Sequence, residues 1–258
     1  MKIMEMIKSR PGAFLAPLIL VPIIIILELL LVWSGIPNYL LPTPSSIFKE
    51  FVIELMNGLI LKHALVTLSE ALFGFFVAFV IGISLAVVVN RSEIIKDVLQ
   101  PYVTAFQAMP KVAIAPIIVL WFGFGVGSKI VLVILITFFI VFVNALSGLR
   151  SLSTPVLELM RSYRATEGQI LFKVRFPNAL PFIFAGAEAA LLYSFTAAVV
   201  GEFVGAREGL GYLIQLWSMQ FRADSSFAAI LMLVIIALTM NLALTYVRNK
   251  VLFWAAKT

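Results

Sequence analysis

The sequence predicts an all-α integral membrane protein of about six spanning helices, built as one transmembrane domain over residues 1–258. Three observations predict it. The chain is 62% hydrophobic and only 12% charged, with a mean hydropathy of +1.09, whereas about a quarter of a soluble domain is charged. Apolar runs of about 20 residues, the length that crosses a bilayer as a helix, recur along it. Its Lys and Arg residues gather on one side of those runs. The same composition excludes much chemistry. There is no cysteine, hence no disulfide and no thiolate metal or redox site. The single histidine, His63, leaves little basis for a His-based metal or acid–base centre. A net charge of +6 would suggest nucleic acid in a soluble protein; in a membrane protein its distribution decides.

Residues 1–10 carry Lys2, Lys8 and Arg10, a basic flank. The N-terminus lacks the short apolar core and small-residue cleavage site of a signal peptide, so the first span is expected at about 14–35. Glu28 lies inside it and should face protein, water or the interface rather than lipid. A helix starting at Thr43 and Pro44 would present Ile47, Phe48, Phe51, Val52, Leu55 and Met56 on one face. Lys49, Glu50 and Glu54 would lie on the other, a pattern suited to an interfacial helix. The second span, about 64–90, places Gly74, Ala78, Gly82 and Ala86 at i+4 intervals, a small-residue stripe of the kind along which helices associate in lipid. Glu70 falls near its outer end, and His63 just before it.

The third segment, about 98–122, is expected to be broken at Pro101, Pro110 and Pro116, and irregular backbone at membrane depth is tolerated where it lines a cavity or packs on protein. Its Lys111 is either a pathway residue or an ammonium snorkelling to an interface. Gly123, Gly125, Gly127, Ser128 and Lys129 lack the Gly-Lys-Ser/Thr order of a phosphate loop and read as a turn. The fourth span is about 129–147. The fifth, about 178–201, carries a second stripe, Gly186, Ala190, Ser194 and Ala198, with Glu188 off the stripe and Glu202 at its end. Residues 203–225 are Gly-rich and amphipathic, an external gate or scoop that Glu202 either lines or anchors. The sixth span is about 226–247.

Between the fourth and fifth spans lies the longest charged island, 154–177, where Arg161, Arg164, Lys173 and Arg175, with Arg150 before it, outnumber Glu158 and Glu167. Thr154 can cap a short helix with Pro155 at its first position. Thr166 and Gln169 have the spacing of a capping box for a second, and Pro177 is expected to end it. A generic solvated loop would serve only to set topology; two short capped helices make a rigid object held in water. Six spans put both termini on one side. That side then holds 13 Lys and Arg against 5 on the other, with Lys111 uncounted, which predicts a cytoplasmic island and cytoplasmic termini.

The island resembles the cytoplasmic "EAA" motif of ABC-importer permeases: Glu-Ala-Ala, three residues, Gly, nine residues, Ile-x-Leu-Pro. Glu158, Val174, Phe176 and Pro177 match without an insertion. Leu159 and Met160 replace the two alanines and Arg164 the glycine, so Arg164 either bears a left-handed conformation, at about 1–2 kcal/mol, or closes the turn differently. From about 60 to 250 the chain is similar to permeases of the nitrate/sulfonate/taurine class, through Thr67–Phe75, Pro110/Ala113/Pro116 with 120–123, Phe139–Gly148, Gly201-Glu202-Phe203 and Gly209–Tyr212.

The resemblance implies a type I ABC importer permease of the bacterial inner membrane. Its implied partners are a second permease copy or homologue, two cytoplasmic ATPase subunits holding ATP and Mg, and an external substrate-binding protein. The 155–165 helix would be the coupling helix, with Glu158 and Arg161 as polar contacts, Met160 and Tyr163 as apolar plugs, and Arg164 and Ala165 at its end. No Walker A motif is present, so ATP hydrolysis would belong to another polypeptide, and this chain has no expected catalytic residue, metal or cofactor. Lys111, Glu70, Glu188 and Glu202 are the candidate pathway or gate residues, unless the glutamates only bond neighbouring helices. With Lys111 the only base expected among them, and with Ser162–Thr166 as they stand, the chain looks more like relatives linked to heterocyclic vitamin precursors, a thiamine pyrimidine or a riboflavin-type compound. Nitrate, sulfonate or taurine import is the alternative. A secondary transporter is the rival class, although only one Pro-broken segment is visible where paired broken helices are usual.

Overall fold

The computed structural model describes residues 11–254, with nothing specified for the side chains of residues 11–18, Glu93 and Lys96. The basic flank of Lys2, Lys8 and Arg10, and Lys257, lie outside the described residues. Every regular element among them is helical: α1 (Pro11–Ser34), α2 (Pro44–Met56), α3 (Leu59–Val89), α4 (Glu93–Ala108), a 3-10 turn (Lys111–Ile114), α5 (Ala115–Phe122), α6 (Val126–Arg150), α7 (Thr154–Ser162), α8 (Glu167–Ile170), a π turn (Leu171–Arg175), α9 (Phe176–Gly205), α10 (Leu210–Met219) and α11 (Ala223–Val251). Four runs are long and apolar enough to cross a membrane, namely Leu59–Val89, Val126–Arg150, Glu167–Gly205 and Ala223–Val251. The pair Asp97–Ala108 and Lys111–Phe122, bent by 83°, makes a fifth when taken as one span, and Ile19–Ser34 is a shorter apolar helix. The chain divides into two compact units, residues 1–61 with 213–232, and residues 62–212 with 233–258.

In the first unit, α2 starts where its sequence signals say. The Thr43 hydroxyl accepts the Ser46 N–H (3.3 Å), and Pro44 occupies the first turn, where a missing N–H costs nothing. Glu28 accepts the Ser45 N–H (2.9 Å) and hydroxyl (2.6 Å), a carboxylate placed at a helix N-terminus where the backbone dipole favours it. Part of the expected polar face of α2 turns inward, while Lys49 stays exposed and Ile47 and Phe51 are half-buried. Glu54 is buried, Glu50 half-buried, and Met56 is 83% exposed. The reason is Arg222, which pairs with Glu54 (2.9 Å) and Glu50 (3.6 Å). Where lipid is the solvent, charges turn toward protein partners and apolar side chains turn outward. Arg222 is set by a Schellman turn after α10. Phe221 takes φ +56°, its N–H donates to the Ser218 carbonyl, and the Arg222 N–H donates to Trp217 (2.9 Å).

The second unit is organised around α6. Gly74 of α3 lies so close that a Cβ there would stand 2.6 Å from Val133, and one at Gly82 would stand 3.1 Å from Val141. On the opposite partner, a Cβ at Gly186 of α9 would stand 2.6 Å from Asn144. Ala78, Ala86, Ala190, Ser194 and Ala198 are all buried. Both stripes therefore face the same helix. Larger side chains fill the layers between: Leu132, Val133 and Ile136 with Leu191 and Phe195, then Phe142, Ala145 and Leu149 with Ala179 and Ile183. Phe106 of α4 stacks on Phe139 of α6, centroids 5.0 Å apart.

Contacts at the helix ends fix their directions. Arg150, at the end of α6, donates to the Val89 carbonyl at the end of α3 (3.3 Å), while Lys129, near the start of α6, pairs with Glu70 in the first half of α3 (2.8 Å). Helices α3 and α6 thus run parallel, so residues 90–125 must carry the chain back from one end to the other. The bent α4–α5 pair is a crossing. Asn178 donates to the Ser151 hydroxyl (2.8 Å) and Glu202 meets Thr67 (2.7 Å), so α9 runs antiparallel to both.

Three local expectations are corrected. Only Pro110 breaks the third segment, since Pro101 lies inside α4 and Pro116 in the first turn of α5; Pro101 is exposed, so the carbonyl it frees is not stranded in a core. Ser153 rather than Thr154 is the N-cap residue of α7, without a side-chain hydrogen bond. Pro177 does not end a helix. Phe176 keeps φ −66°, ψ −48°, the region a following proline disfavours, and the π turn at 171–175 feeds directly into α9. The wider π turn shifts the carbonyl register just where the proline ring would crowd the preceding turn.

Replacing Gly186 with Leu should force α9 away from Asn144 and cost about 1–3 kcal/mol, the usual range for overpacking. The measurement is the thermal midpoint in detergent, with Leu at the exposed Gly168, which has open space around it, as the control expected to change little.

Candidate functional site

The 154–177 island is rigid for local reasons. Helix α7 ends in a Schellman turn: the Ala165 N–H donates to Met160 (3.0 Å) and the Arg164 N–H to Arg161 (2.8 Å), with Arg164 at φ +54°. The arginine bears the left-handed conformation that glycine would take without strain. Helix α8 opens with the capping box, as Thr166 accepts the Gln169 N–H (3.3 Å) and the Gln169 side chain accepts the Thr166 N–H (2.9 Å). No residue of α7 is buried. Glu158 and Arg161 are exposed, Tyr163 is 77% exposed, and Met160 and Ala165 are half-buried. Arg161 lies 3.8 Å from Glu167, an exposed contact that ties α7 loosely to α8.

A buried polar cluster occupies the opposite end. Glu202, fully buried, accepts the Thr67 hydroxyl (2.7 Å) and the Gly211 N–H. The Thr67 hydroxyl in turn accepts the Leu210 N–H (2.8 Å), and His63 Nδ1 accepts the Gly209 N–H (2.9 Å). Side chains from α3 and α9 therefore cap three successive amides at the start of α10, donors a helix leaves unsatisfied. Gly209 is at φ +112°, and a Cβ there would overlap the Glu202 carboxylate; only glycine permits this approach. Glu202 thus anchors the Gly-rich segment. His63, expected outside the second span, lies within α3, buried and stacked on Tyr212 at 5.9 Å. Beside the cluster, Lys129 and Glu70 form a buried ion pair at 2.8 Å. Gly201 makes room for it, since a Cβ there would stand 3.2 Å from Lys129 Cγ. Lys111 is therefore not the only base among the buried acids. At the mouth of this region Glu208 pairs with Lys62 (2.8 Å). The hydrogen bond and charge of that ammonium hold the Glu208 carboxyl below its usual range, so the pair persists at neutral pH and is lost as pH falls. Being exposed, it adds little stability.

Of the remaining candidates, Glu188 accepts from Arg248 (2.8 Å) and the Thr245 hydroxyl (2.9 Å), joining α9 to α11. Lys111 lines a cavity of about 340 Å3 whose other walls include Tyr193, Thr196, Met109, Ile136 and Val200. The structure therefore separates the sequence-derived pathway residues: Glu70 and Glu202 share one buried cluster, Glu188 has its own ion pair, and Lys111 has a cavity. Lys129, Thr67 and His63 are members of the cluster that sequence reasoning does not identify. Charge parity is a signal for Lys129, because a carboxylate eleven residues into an apolar helix calls for a cation or hydrogen-bond donors; no comparable signal marks Thr67 or His63.

Residues 78–252 match the family described as binding-protein-dependent transport system inner membrane component. The riboflavin transport system permease protein RibX of Chloroflexus aurantiacus is 36% identical over 223 residues, 86% of this chain and 83% of that protein. The formylaminopyrimidine transport permease protein ThiX of Halalkalibacterium halodurans is 33% identical over 242 residues, 92% of this chain and 96% of that protein. In fold, the chain resembles a subunit of the MetNI methionine ABC transporter in inward-facing conformations, with a TM-score of 0.67 and 23% identity over 77% of this chain and 98% of that one.

Changing Lys129 to Met should strand a buried carboxylate and cost about 3–5 kcal/mol, whereas Glu70→Gln with Lys129→Met should recover most of it, because a neutral pair carries no uncompensated charge. A double-mutant cycle on the thermal midpoint in detergent measures this. Equal losses for the single and double variants would show that the charge pairing is not what the bundle depends on there.

Proposed function

The chain belongs to the family of inner membrane components of binding-protein-dependent transport systems; it is the permease subunit of an ABC importer, and from that premise we propose how it couples and what it carries. Helix α7 docks on a cytoplasmic ATPase subunit, which holds ATP and Mg. Glu158 and Arg161 make the polar contacts and Met160 and Tyr163 fill apolar hollows, while Arg164 and Ala165 fix the angle between α7 and α8. The observation that carries this reading is an exposed helix whose C-terminal end is locked by a Schellman turn running directly into the α8 capping box, at the end of the bundle where α3 and α6 finish and α9 begins. A loop that only set topology would not require that order. A second permease copy and an external binding protein complete the proposed assembly, with the island and termini in the cytoplasm.

The substrate is proposed to be a heterocyclic vitamin precursor, of the riboflavin or thiamine-pyrimidine kind. Two relatives of 36% and 33% identity carry those substrates in their names. The Lys111 cavity supports the same choice. An ammonium, a phenol and a hydroxyl on otherwise apolar walls suit a flat ring bearing carbonyl and ring-nitrogen acceptors. Glu70, Glu202 and Glu188 are assigned to holding helices and the Gly-rich segment together rather than to contacting substrate.

Glu158→Lys should insert and fold normally yet lower ATP-driven uptake by at least about tenfold, since a reversed charge at a docking interface costs more than about 1.4 kcal/mol. Reconstitution with the ATPase and binding protein measures it; unchanged uptake would remove Glu158 from the contact. In the same vesicles riboflavin or formylaminopyrimidine should be imported and taurine should not, and Lys111→Met should raise the substrate concentration for half-maximal uptake. Import of taurine alone would overturn the substrate assignment.

A further inference from the structure

Beneath α7 lies an open pocket of about 580 Å3, lined by Arg91, Arg161 and Arg175 together with Asn90, Glu167 and Phe172. Its charge is not balanced within the pocket. Three guanidinium groups face one carboxylate, and Glu167 is engaged with Arg161. Two of its polar atoms are buried without a hydrogen-bond partner among the described residues, Arg175 Nε and Asn90 Oδ1. A buried group left unpaired costs free energy that a ligand recovers on binding. The two atoms ask for different things: the guanidinium nitrogen for an anionic acceptor, and the amide oxygen for a donor within reach of the same ligand.

Depth narrows the ligand further. Asn90 and Arg91 directly follow α3, and Arg175 closes the π turn in the first part of the Glu167–Gly205 run; both of these helices are apolar enough to span. The pocket is therefore at the level where spanning segments emerge from the hydrocarbon. Phe172, on its wall, is 70% exposed, an apolar surface beside a cationic hollow. Basic pockets between spanning helices at this level match anionic lipid head groups.

We propose that this pocket binds the head group of an anionic phospholipid, with its phosphate between Arg91 and Arg175, a head-group hydroxyl donating to Asn90 Oδ1, and an acyl chain against Phe172. Phosphatidylglycerol has this combination of one phosphate and free hydroxyls; phosphatidylcholine has neither the net charge nor the donor. The site is a property of the permease itself and does not depend on α7 docking an ATPase.

The test uses the purified full-length chain in mild detergent, with phosphatidylglycerol or phosphatidylcholine of the same acyl chains added, and counts retained lipid by native mass spectrometry. Wild type should retain phosphatidylglycerol in preference. Arg91→Gln with Arg175→Gln should weaken that retention by at least about tenfold, given about 1 kcal/mol per basic residue near a lipid surface. Lys49→Gln, on α2, should not change it. Should the double variant fail to fold, Arg91→Gln alone, at an exposed position, should still lower retention severalfold. Equal retention of the two lipids by wild type, or unaltered retention in the folded variants, overturns the proposal. Displacement of the lipid by millimolar inorganic phosphate would also overturn it, showing a site for free anions only.

Discussion

Lipid tails are as apolar as leucine, so burying a leucine against another helix gains little that the bilayer did not already offer. What remains is close approach of backbones and satisfaction of polar groups, and both converge on α6. It is gripped from two sides by stripes in which glycine, alanine and serine remove the side chains that would hold helices apart. At Gly74 and Gly186 the added carbon would stand 2.6 Å from its neighbour, a distance no side chain can occupy. Around that axis the large residues follow rather than lead. Phe142, Leu149 and Phe195 fill layers whose spacing the small residues have already set.

The polar groups are sorted by position along the same bundle. In the buried half, Glu202, Thr67 and His63 act as substitute caps for α10, and Lys129 neutralises Glu70 beside them. Apart from the Glu202–Gly211 bond, each of these contacts joins residues more than fifty positions apart, so none of them forms until the placement of α3 beside α6 and α9 exists. At the other end the polar groups are local. The α7 turn and the α8 capping box join residues three to five apart and hold their shape without help from the bundle. One end is ordered by tertiary structure, the other by sequence-neighbour hydrogen bonds.

That difference explains how much can be read from the sequence. The capping box, the Thr43 cap, the two i+4 stripes and the apolar runs are legible because their signals repeat within one helical turn or one span. Arg164 stands out because a single residue departs from a glycine position, although only the structure shows that it takes φ +54°. Glu54 is misplaced by sequence reasoning because the pattern of α2 alone says which residues share a face, not which face meets protein; Arg222, in a distant segment, decides that. Pro177 misleads for a similar reason. The rule that a proline unsettles the preceding residue assumes an α-helical register, and a π turn changes the register. Lys129 reads as an external loop charge because nothing near it in sequence marks its partner, Glu70, 59 positions earlier.

Continuity across the π turn bears on the coupling role proposed for α7. From Glu167 to Gly205 the chain is one helical run of 39 residues. Its first turn is fixed to α7 by the capping box and the Schellman turn, and its last turn carries Glu202, which caps the Gly-rich segment. A helical run of that length resists bending except at defects, and its two defects, the π turn at 171–175 and Pro181 early in α9, both lie toward the base, on the side of the island. A tilt applied through α7 therefore has two structural outlets: flexing at the π turn, or rigid-body motion of α9 against α6. The second must repack Leu191 and Phe195 against Leu132 and Ile136, whereas at Gly186 α9 itself offers no side chain to displace. The small residues thus set how closely α9 approaches α6, and the large side chains of the neighbouring layers set what a shift of α9 must repack.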